Sequence, residues 1–275
     1  MLADEYILGQ LQANDSFFLT YKATKKGSEN IYSIIRYMKN NLDDEEEIKK
    51  ILKEGREIMK ELNHPNIIKL IDIKEDAESY NYICEFYNDN INDYFEENLK
   101  KRNEPLSEEI VQYIMKQVVS ALKYLHDKKI VHRDIKPNNF FIKYNSEEDL
   151  LNKNILKSKI ILGGFYVSSH LKKGDNLADY VGTPSYMAPE IISIAGDYNE
   201  KIDIWNLGIC CFFLLYGKFP FKNKDYKNRL TYELKKPLSK EAISFIDSML
   251  EIDPKKRISA FELSKHEFLT KNIKI

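Results

Sequence analysis

The densest run of reactive side-chain types in the chain is Val131-His132-Arg133-Asp134-Ile135-Lys136-Pro137-Asn138-Asn139. An imidazole, a guanidinium, a carboxylate, an ammonium and two carboxamides fall there side by side. Such a set has two physical uses. One is to handle charge and protons at a reaction centre. The other is scaffolding, with His132 packed in a core, Arg133 anchoring a neighbouring segment and Asp134 satisfying backbone donors. Thiol chemistry is a weaker prospect. The chain has three cysteines and Cys210 and Cys211 are adjacent, which excludes a disulfide framework and favours a reducing compartment. Cys84 reads as a small apolar filler rather than a reactive thiol. A phosphate cradle of glycine backbone is also poorly supplied. The chain holds 10 Gly in 275 residues, about half the usual ~7%. None lies between Gly9 and Gly27, or between Gly55 and Gly163.

Groups of this kind need a framework to position them. At roughly 150 residues per domain, the length suits two modest domains or one large one. A composition of 43% hydrophobic and 31% charged residues fits a globular protein with a sizeable core. The 42 basic and 43 acidic residues leave a net charge of -1, so neither nucleic acid nor an anionic membrane is expected as a main partner. The longest apolar stretch, 204–216, is too short to span a bilayer and contains Asn206. Asp4 and Glu5 precede any apolar run, which does not read as a signal peptide, so the expected setting is cytoplasmic or nuclear.

Residues 5–40 read as strands, with 16–21 and 31–38 rich in β-formers on either side of the turn-like Lys25-Lys26-Gly27-Ser28. Residues 43–62 read as a helix with an acidic start and apolar Ile48, Ile51, Leu52, Ile58, Met59 and Leu62. His64-Pro65-Asn66 ends it, and short strands follow at 67–73 and 80–86. Beyond that the chain turns helical. Ser107 is a good N-cap, and Ile110, Ile114, Val118, Leu122 and Leu125 form a stripe at helical spacing. Further helical patterns cover 202–215, 239–250 and 260–265. A strand-rich lobe followed by a larger helical lobe is an α+β arrangement, with the cleft between them as the default ligand site.

On these residues the chain resembles the eukaryotic protein kinases. The 131–139 run resembles their catalytic loop, with His, Arg, Asp, Lys and Asn all at the family spacing. Gly182-Thr183-Pro184-Ser185-Tyr186-Met187-Ala188-Pro189-Glu190 resembles the end of the activation segment. Asp203-Ile204-Trp205-Asn206-Leu207-Gly208 resembles the central helix of the large lobe, and Asp253-Pro254-Lys255-Lys256-Arg257 the late helix whose Arg pairs with Glu190. The likeness covers essentially the whole chain. It has a Ser/Thr flavour and leans to the calcium/calmodulin-dependent branch, although no EF-hand loop is present. It implies a single two-lobed domain over 1–275: small lobe about 1–85, linker about 85–88, large lobe about 88–275. It also implies that Asp134 accepts the substrate hydroxyl's proton, Lys136 steadies the transferring phosphoryl group and Asn139 ligates a metal ion. His132, Arg133, Thr183, Glu190, Asp203 and Arg257 are its structural residues.

The nucleotide-handling positions depart from the family. Its three loop glycines are here Ala13, Asp15 and Phe18. Their side chains obstruct backbone approach to phosphate, and Asp15 adds a like charge. Ser33 stands where a small residue faces adenine, which puts Ile35 at the phosphate-binding Lys. A shift of one residue would put Arg36 there instead, and the two readings exclude each other. The ion-pair Glu is Gly55, and the metal-binding Asp is Leu162, a side chain that cannot ligate magnesium. Gly163 replaces the Phe that links the lobes, unless Phe165 moves in. About ten extra residues, 144–158, precede this strand, and neither Asp149 nor Asp175 sits in a context that would rescue the metal site. Cys84 stands at the entrance to the back of the pocket, just before the linker Glu85-Phe86-Tyr87. Phe141 would lie under adenine and partly fill the site, or serve as ordinary core. Asn138 replaces an acidic residue used in substrate reading. With no Ser or Thr between Ser169 and Thr183, Asp175 or Asp179 could stand in for phosphate against Arg133.

The expectation is a pseudokinase, acting as a scaffold or allosteric regulator on another protein such as an active kinase. It would need neither ATP nor magnesium. The alternative is a weakly active Ser/Thr kinase that uses ATP and Mg, with Arg36 or Lys22 in place of the missing Lys and one metal on Asn139.

Overall fold

A computed structural model describes residues 2–14, 18–39, 46–172, 176–192, 197–222, 226 and 237–271. Asp15, Asp175 and the acids 43–45 lie outside the described residues. After a short helix α1 (Leu2–Glu5), the strands β1 (Tyr6–Asn14), β2 (Phe18–Lys25) and β3 (Ile31–Met38) form a meander. Strands β4 (Leu70–Glu75) and β5 (Ser79–Glu85) complete an antiparallel sheet of order β1-β2-β3-β5-β4. Helix α2 (Glu46–Glu61) lies between β3 and β4 in the chain.

The register decides which residues face the cleft. Ser33 is opposite Lys22 and Cys84, while Ile35 is opposite Thr20 and Tyr82. Opposed residues share a face and neighbours alternate. Ser33, Ile35 and Tyr37 therefore look toward α2, and Ile34 and Arg36 look away. Ile34 joins a small outer cluster with Leu2, Tyr6, Ala23 and Ile83, whereas Ile35 and Tyr37 join the main core.

Residues 86–88 lead into β6 (Asp89–Asn90), and the helices take over with α3 (Ile91–Arg102) and α4 (Glu108–Asp127). The Ser107 hydroxyl accepts from the Ile110 amide and caps α4. β7 (Ile130–Val131), β8 (Phe140–Tyr144), α5 (Glu147–Leu151), β9 (Ser158–Leu162) and β10 (Ser169–His170) frame the loop at 132–139. β8 pairs with β6 and β9, and β10 with β7. The remaining helices are α6 (Pro189–Ile192), α7 (Lys201–Tyr216), α8 (Lys240–Met249), α9 (Ala260–Leu263) and α10 (Glu267–Thr270). α7 is apolar and buried nearly all round, the mark of a central helix. The two-lobed α+β arrangement is the one expected. No described helix is long and apolar enough to cross a membrane.

One strand starts later than expected. The run at 67–73 becomes regular only from Leu70, because Ile67 bridges to Leu162 and the Ile68 amide donates to the Leu162 carbonyl at 2.8 Å. That ties the end of β9 directly to the segment below α2.

Candidate active site

The loop at 132–139 is held from beneath by a buried carboxylate. Asp203, in the first turn of α7, accepts from the His132 and Arg133 amides, each at 2.9 Å, and from His126 Nε2 at 2.9 Å. Burial pushes its pKa up, but the His126 hydrogen bond and charge and the loop amide outweigh this and hold it below the usual carboxylate range. Arg133 takes a left-handed backbone, φ 69°, which this grip supports.

His132 uses its ring nitrogens in opposite senses. Nε2 donates to the Gly163 carbonyl at 2.9 Å, and Nδ1 accepts from the Asp134 amide at 3.2 Å. A second ring proton would point at an N–H group. Burial likewise pushes its pKa below 6.5. The unfolded chain then binds a proton that the folded chain refuses, so stability falls as pH drops below 6.5. The slope is up to ~1.4 kcal/mol per pH unit for this group. His64 and His266 shift the same way. The reading is therefore the difference in slope, by urea unfolding between pH 7 and 5, between the native chain and His132→Leu. Equal slopes would remove His132 from the account.

Above the loop, the groups that the family uses at the transferring phosphate converge. Asp134 accepts from the Thr183 hydroxyl at 2.6 Å and meets Lys136 Nζ at 3.0 Å. Lys136 also donates to Thr183 at 2.8 Å, and Asn139 Nδ2 donates to the Asp134 carboxylate at 3.1 Å and its carbonyl at 2.7 Å. Asn138 is exposed.

On the opposite side of the cleft the space is filled. Ile35 is 3% exposed beneath α2, and Leu162 is wholly buried. Gly55 is buried against the turn at Phe165–Val167, where an added Cβ would stand 2.5 Å from the Phe165 carbonyl oxygen and 2.6 Å from that of Tyr166. Phe165 does move in: it is fully buried, edge-on to His132 with centroids 4.8 Å apart. Phe18 lies against Tyr166, centroids 4.4 Å apart, and both reach Tyr37. Ala13 sits opposite Thr20 on an exposed stretch of β1. Gly164, at φ 80°, places its Cα where any side chain would collide with the Asn139 amide.

The register corrects one option. Arg36 points away from the cleft, with Nε donating to the Ser79 hydroxyl at 3.0 Å and its guanidinium 3.7 Å from Asp76, so it does not replace the missing Lys. Lys22 faces the cleft side but stands over the Phe86 ring at 5.1 Å, in the linker. Beside it, Glu85 accepts from the Tyr87 hydroxyl at 2.9 Å and from Lys143 at 3.1 Å. Phe141 stacks on Tyr87, centroids 5.8 Å apart, and its ring covers Gly163. Burial pushes the Cys84 thiol up to about 12, which leaves it an unreactive filler.

The segment after β10 is pinned at both ends. Arg133, fully buried, meets Asp179 at 2.6 Å and the Tyr198 hydroxyl at 3.3 Å, and its Nε donates to the Val167 carbonyl. Asp179 thus takes the place considered for a phosphate substitute. At the far end Arg257 grips Glu190 through two hydrogen bonds, 2.6 and 3.0 Å, and lies over Trp205. Asp179→Asn is expected to cost about 1–2 kcal/mol, because Asp179 is 45% exposed and screened compared with a fully buried pair. Faster proteolytic cleavage near residue 180 would accompany it. An unchanged cleavage rate and melting temperature would show that Asp179 does not hold the segment.

A family profile described as Protein kinase domain matches residues 16–269. The chain belongs to the eukaryotic protein kinase superfamily, Ser/Thr type. Serine/threonine-protein kinase 33 of Bos taurus is 31% identical over 282 residues, taking in 98% of this chain and 56% of the relative. CaM kinase-like vesicle-associated protein of Danio rerio is 29% identical, covering 98% of this chain and 62% of the relative. Ovarian-specific serine/threonine-protein kinase Lok of Drosophila melanogaster is 32% identical over 80% of the chain and 46% of its own length. The chain thus spans about half the length of the relatives it matches.

Within this kinase domain, sequence reasoning passed over Tyr166, His126 and Tyr198. His126 lies 77 residues from Asp203 and Tyr198 65 residues from Arg133, the motif residues they contact. Tyr166 adjoins Phe165, yet only folding shows that it meets Phe18.

Proposed function

We propose that this domain is a pseudokinase, a kinase-fold module that acts by binding another protein rather than by transferring phosphate. The observation that carries the reading is the burial of Ile35, Gly55 and Leu162 in packed structure. The positions of the family's Lys, Glu and metal-binding Asp have been rebuilt as core. ATP and magnesium, which the family implies, do not fit these residues. Leu162 offers no oxygen to a hard cation, and among the described residues no group of three or more His, Cys, Asp or Glu side chains could hold a metal ion. Phe18, at the third of the loop-glycine positions, packs on Tyr166 with ring centroids 4.4 Å apart. Losing one preorganised stabiliser slows an enzyme by ~10²–10³. Two such losses would bring a kinase of ~1–100 per second to ~10⁻² per second at best.

The second reading, a weakly active Ser/Thr kinase, is favoured by one observation: Asp134, Lys136, Thr183 and Asn139 are assembled. Thermal unfolding with ~1 mM ATP, in magnesium and then in EDTA, separates the two. A nucleotide at ~100 times its Kd stabilises by ~2.7 kcal/mol, several degrees in melting temperature. The pseudokinase reading expects no shift in either condition. A magnesium-dependent shift, with phosphate transfer that Asp134→Asn abolishes, would establish the active kinase instead.

A further inference from the structure

Strands β8 and β9 are joined by residues 145–157, far more than the ~2–5 residues of an ordinary hairpin. The returning leg of this connection is tied down. Ile155 is buried, Lys153 meets Asp89 at 2.6 Å, and the Tyr113 hydroxyl donates to the Ser158 carbonyl at 2.6 Å. The outgoing leg is not. It holds helix α5, which buries none of its residues. A helix this short is not stable alone, so only exposed contacts keep it wound.

Ser146 opens that leg. It is exposed, its backbone is already extended (φ -146°, ψ 164°), and its hydroxyl serves only a neighbour. The hydroxyl accepts from the Asp149 amide at 3.1 Å and donates to the Asp149 carboxylate at 2.8 Å. Other serines are committed to the fold: Ser107 caps the long helix α4, and Ser239 is gripped by Glu108. Charge marks the same position. Of the chain's serines and threonines, Ser146 alone is followed by three acids in succession, Glu147-Glu148-Asp149. Glu147 and Glu148 are exposed, free to meet cations brought by another molecule.

We propose that Ser146 is a phosphorylation site for a protein serine kinase that recognises acidic residues just after its target. Such an enzyme reads the three carboxylates with a basic groove, and α5, once unwound, supplies the extended chain that the groove takes. Ser146 Oγ bonds to the γ-phosphorus of a nucleoside triphosphate held by that enzyme, while the bond from this phosphorus to its bridging oxygen breaks. Nucleoside diphosphate leaves, and the hydroxyl proton passes to the enzyme's base. The product adds ~1.5–2 negative charges to a surface that already carries three carboxylates, and removes the proton now donated to Asp149. The site lies outside the cleft between the lobes, so this proposal and the pseudokinase reading stand or fall separately.

The test incubates the whole chain with an acid-directed protein serine kinase and radiolabelled ATP, and maps the phosphate by mass spectrometry. Incorporation of about one phosphate per chain, at Ser146, is expected. Ser146→Ala should reduce it ~10-fold or more, and Glu147→Lys with Glu148→Lys, which keeps the hydroxyl, should slow it at least ~10-fold. Because α5 buries none of its residues, both variants should keep the fold, checked by melting temperature. Phosphate mapped elsewhere, equal rates for the charge-reversed variant, or incorporation without the added kinase would overturn the proposal. Labelling of an isolated peptide of residues 141–154 with none on the whole chain would show that the fold withholds the serine, and would overturn it too.

Discussion

Gly55→Ala is expected to destabilise this domain by about 2–3 kcal/mol, and Gly55→Glu, which restores the family's residue, by at least as much. The sign is the informative part. In an exposed helix interior, Gly→Ala gains ~1 kcal/mol. Here the new Cβ would stand 2.5 and 2.6 Å from two carbonyl oxygens and 2.9 Å from the Tyr166 carbonyl carbon. These are backbone atoms, which cannot swing aside as a side chain can. Helix α2 must lift away from the turn at Phe165–Val167. The Glu variant adds a carboxylate with no cation waiting, since Ile35 occupies the partner's place. At ~2–4 °C per kcal/mol for a chain near this size, the melting temperature should fall by roughly 5–10 °C. A Gly55→Ala variant that melts at or above the native temperature would show that α2 does not rest on this turn. The rebuilt-core argument would weaken with it.

The sequence was most legible where function and structure use the same short motif. The loop at 132–139, the Glu190–Arg257 pair and Asp203 each carry a side-chain type that only one arrangement satisfies, and the structure brings them together. The choice between Ile35 and Arg36 was legible in outline, because strand alternation forbids both; the pairing of Ile35 with Tyr82 settles it. Gly55 was legible only as a loss. Its positive role, a close approach to Phe165 and Tyr166, depends on a contact across more than a hundred residues that no local pattern encodes. The tilted contact of Phe18 with Tyr166 is hidden for the same reason. Among the elements, α3 went unmarked because its sequence is mixed and its amphipathicity weak, although Asn90 caps it. The extra residues at 144–158 hold the short helix α5, started by Ser146, whose hydroxyl accepts from the Asp149 amide.

Asp203→Asn is expected to cost about 3–5 kcal/mol, the scale seen when one partner of a buried charged network is removed. The substitution keeps the shape, so no cavity term enters. What changes is the count of acceptors. Asp203 takes three donors on two oxygens: Arg133 N on one, His132 N and His126 Nε2 on the other. An amide has one oxygen, and its NH2 would face an N–H group whichever way it turns. The left-handed backbone at Arg133 would lose its tether, and Asp134 and Thr183 would lose their common frame. The pH dependence distinguishes this site from His132. Asp203's folded pKa lies below its ordinary 3.8, so its contribution is fully present above 3.8 and is lost as pH falls through the folded value. The gap between native and variant, by urea unfolding, should therefore stay constant from pH 7 to 5 and narrow only below 3.8. The His132 effect begins below 6.5. A variant as stable as the native chain at pH 7 would sink the account. If the loss is as large as expected, folding alone accounts for the presence of Asp203 beneath the loop, and its retention is no argument for catalysis.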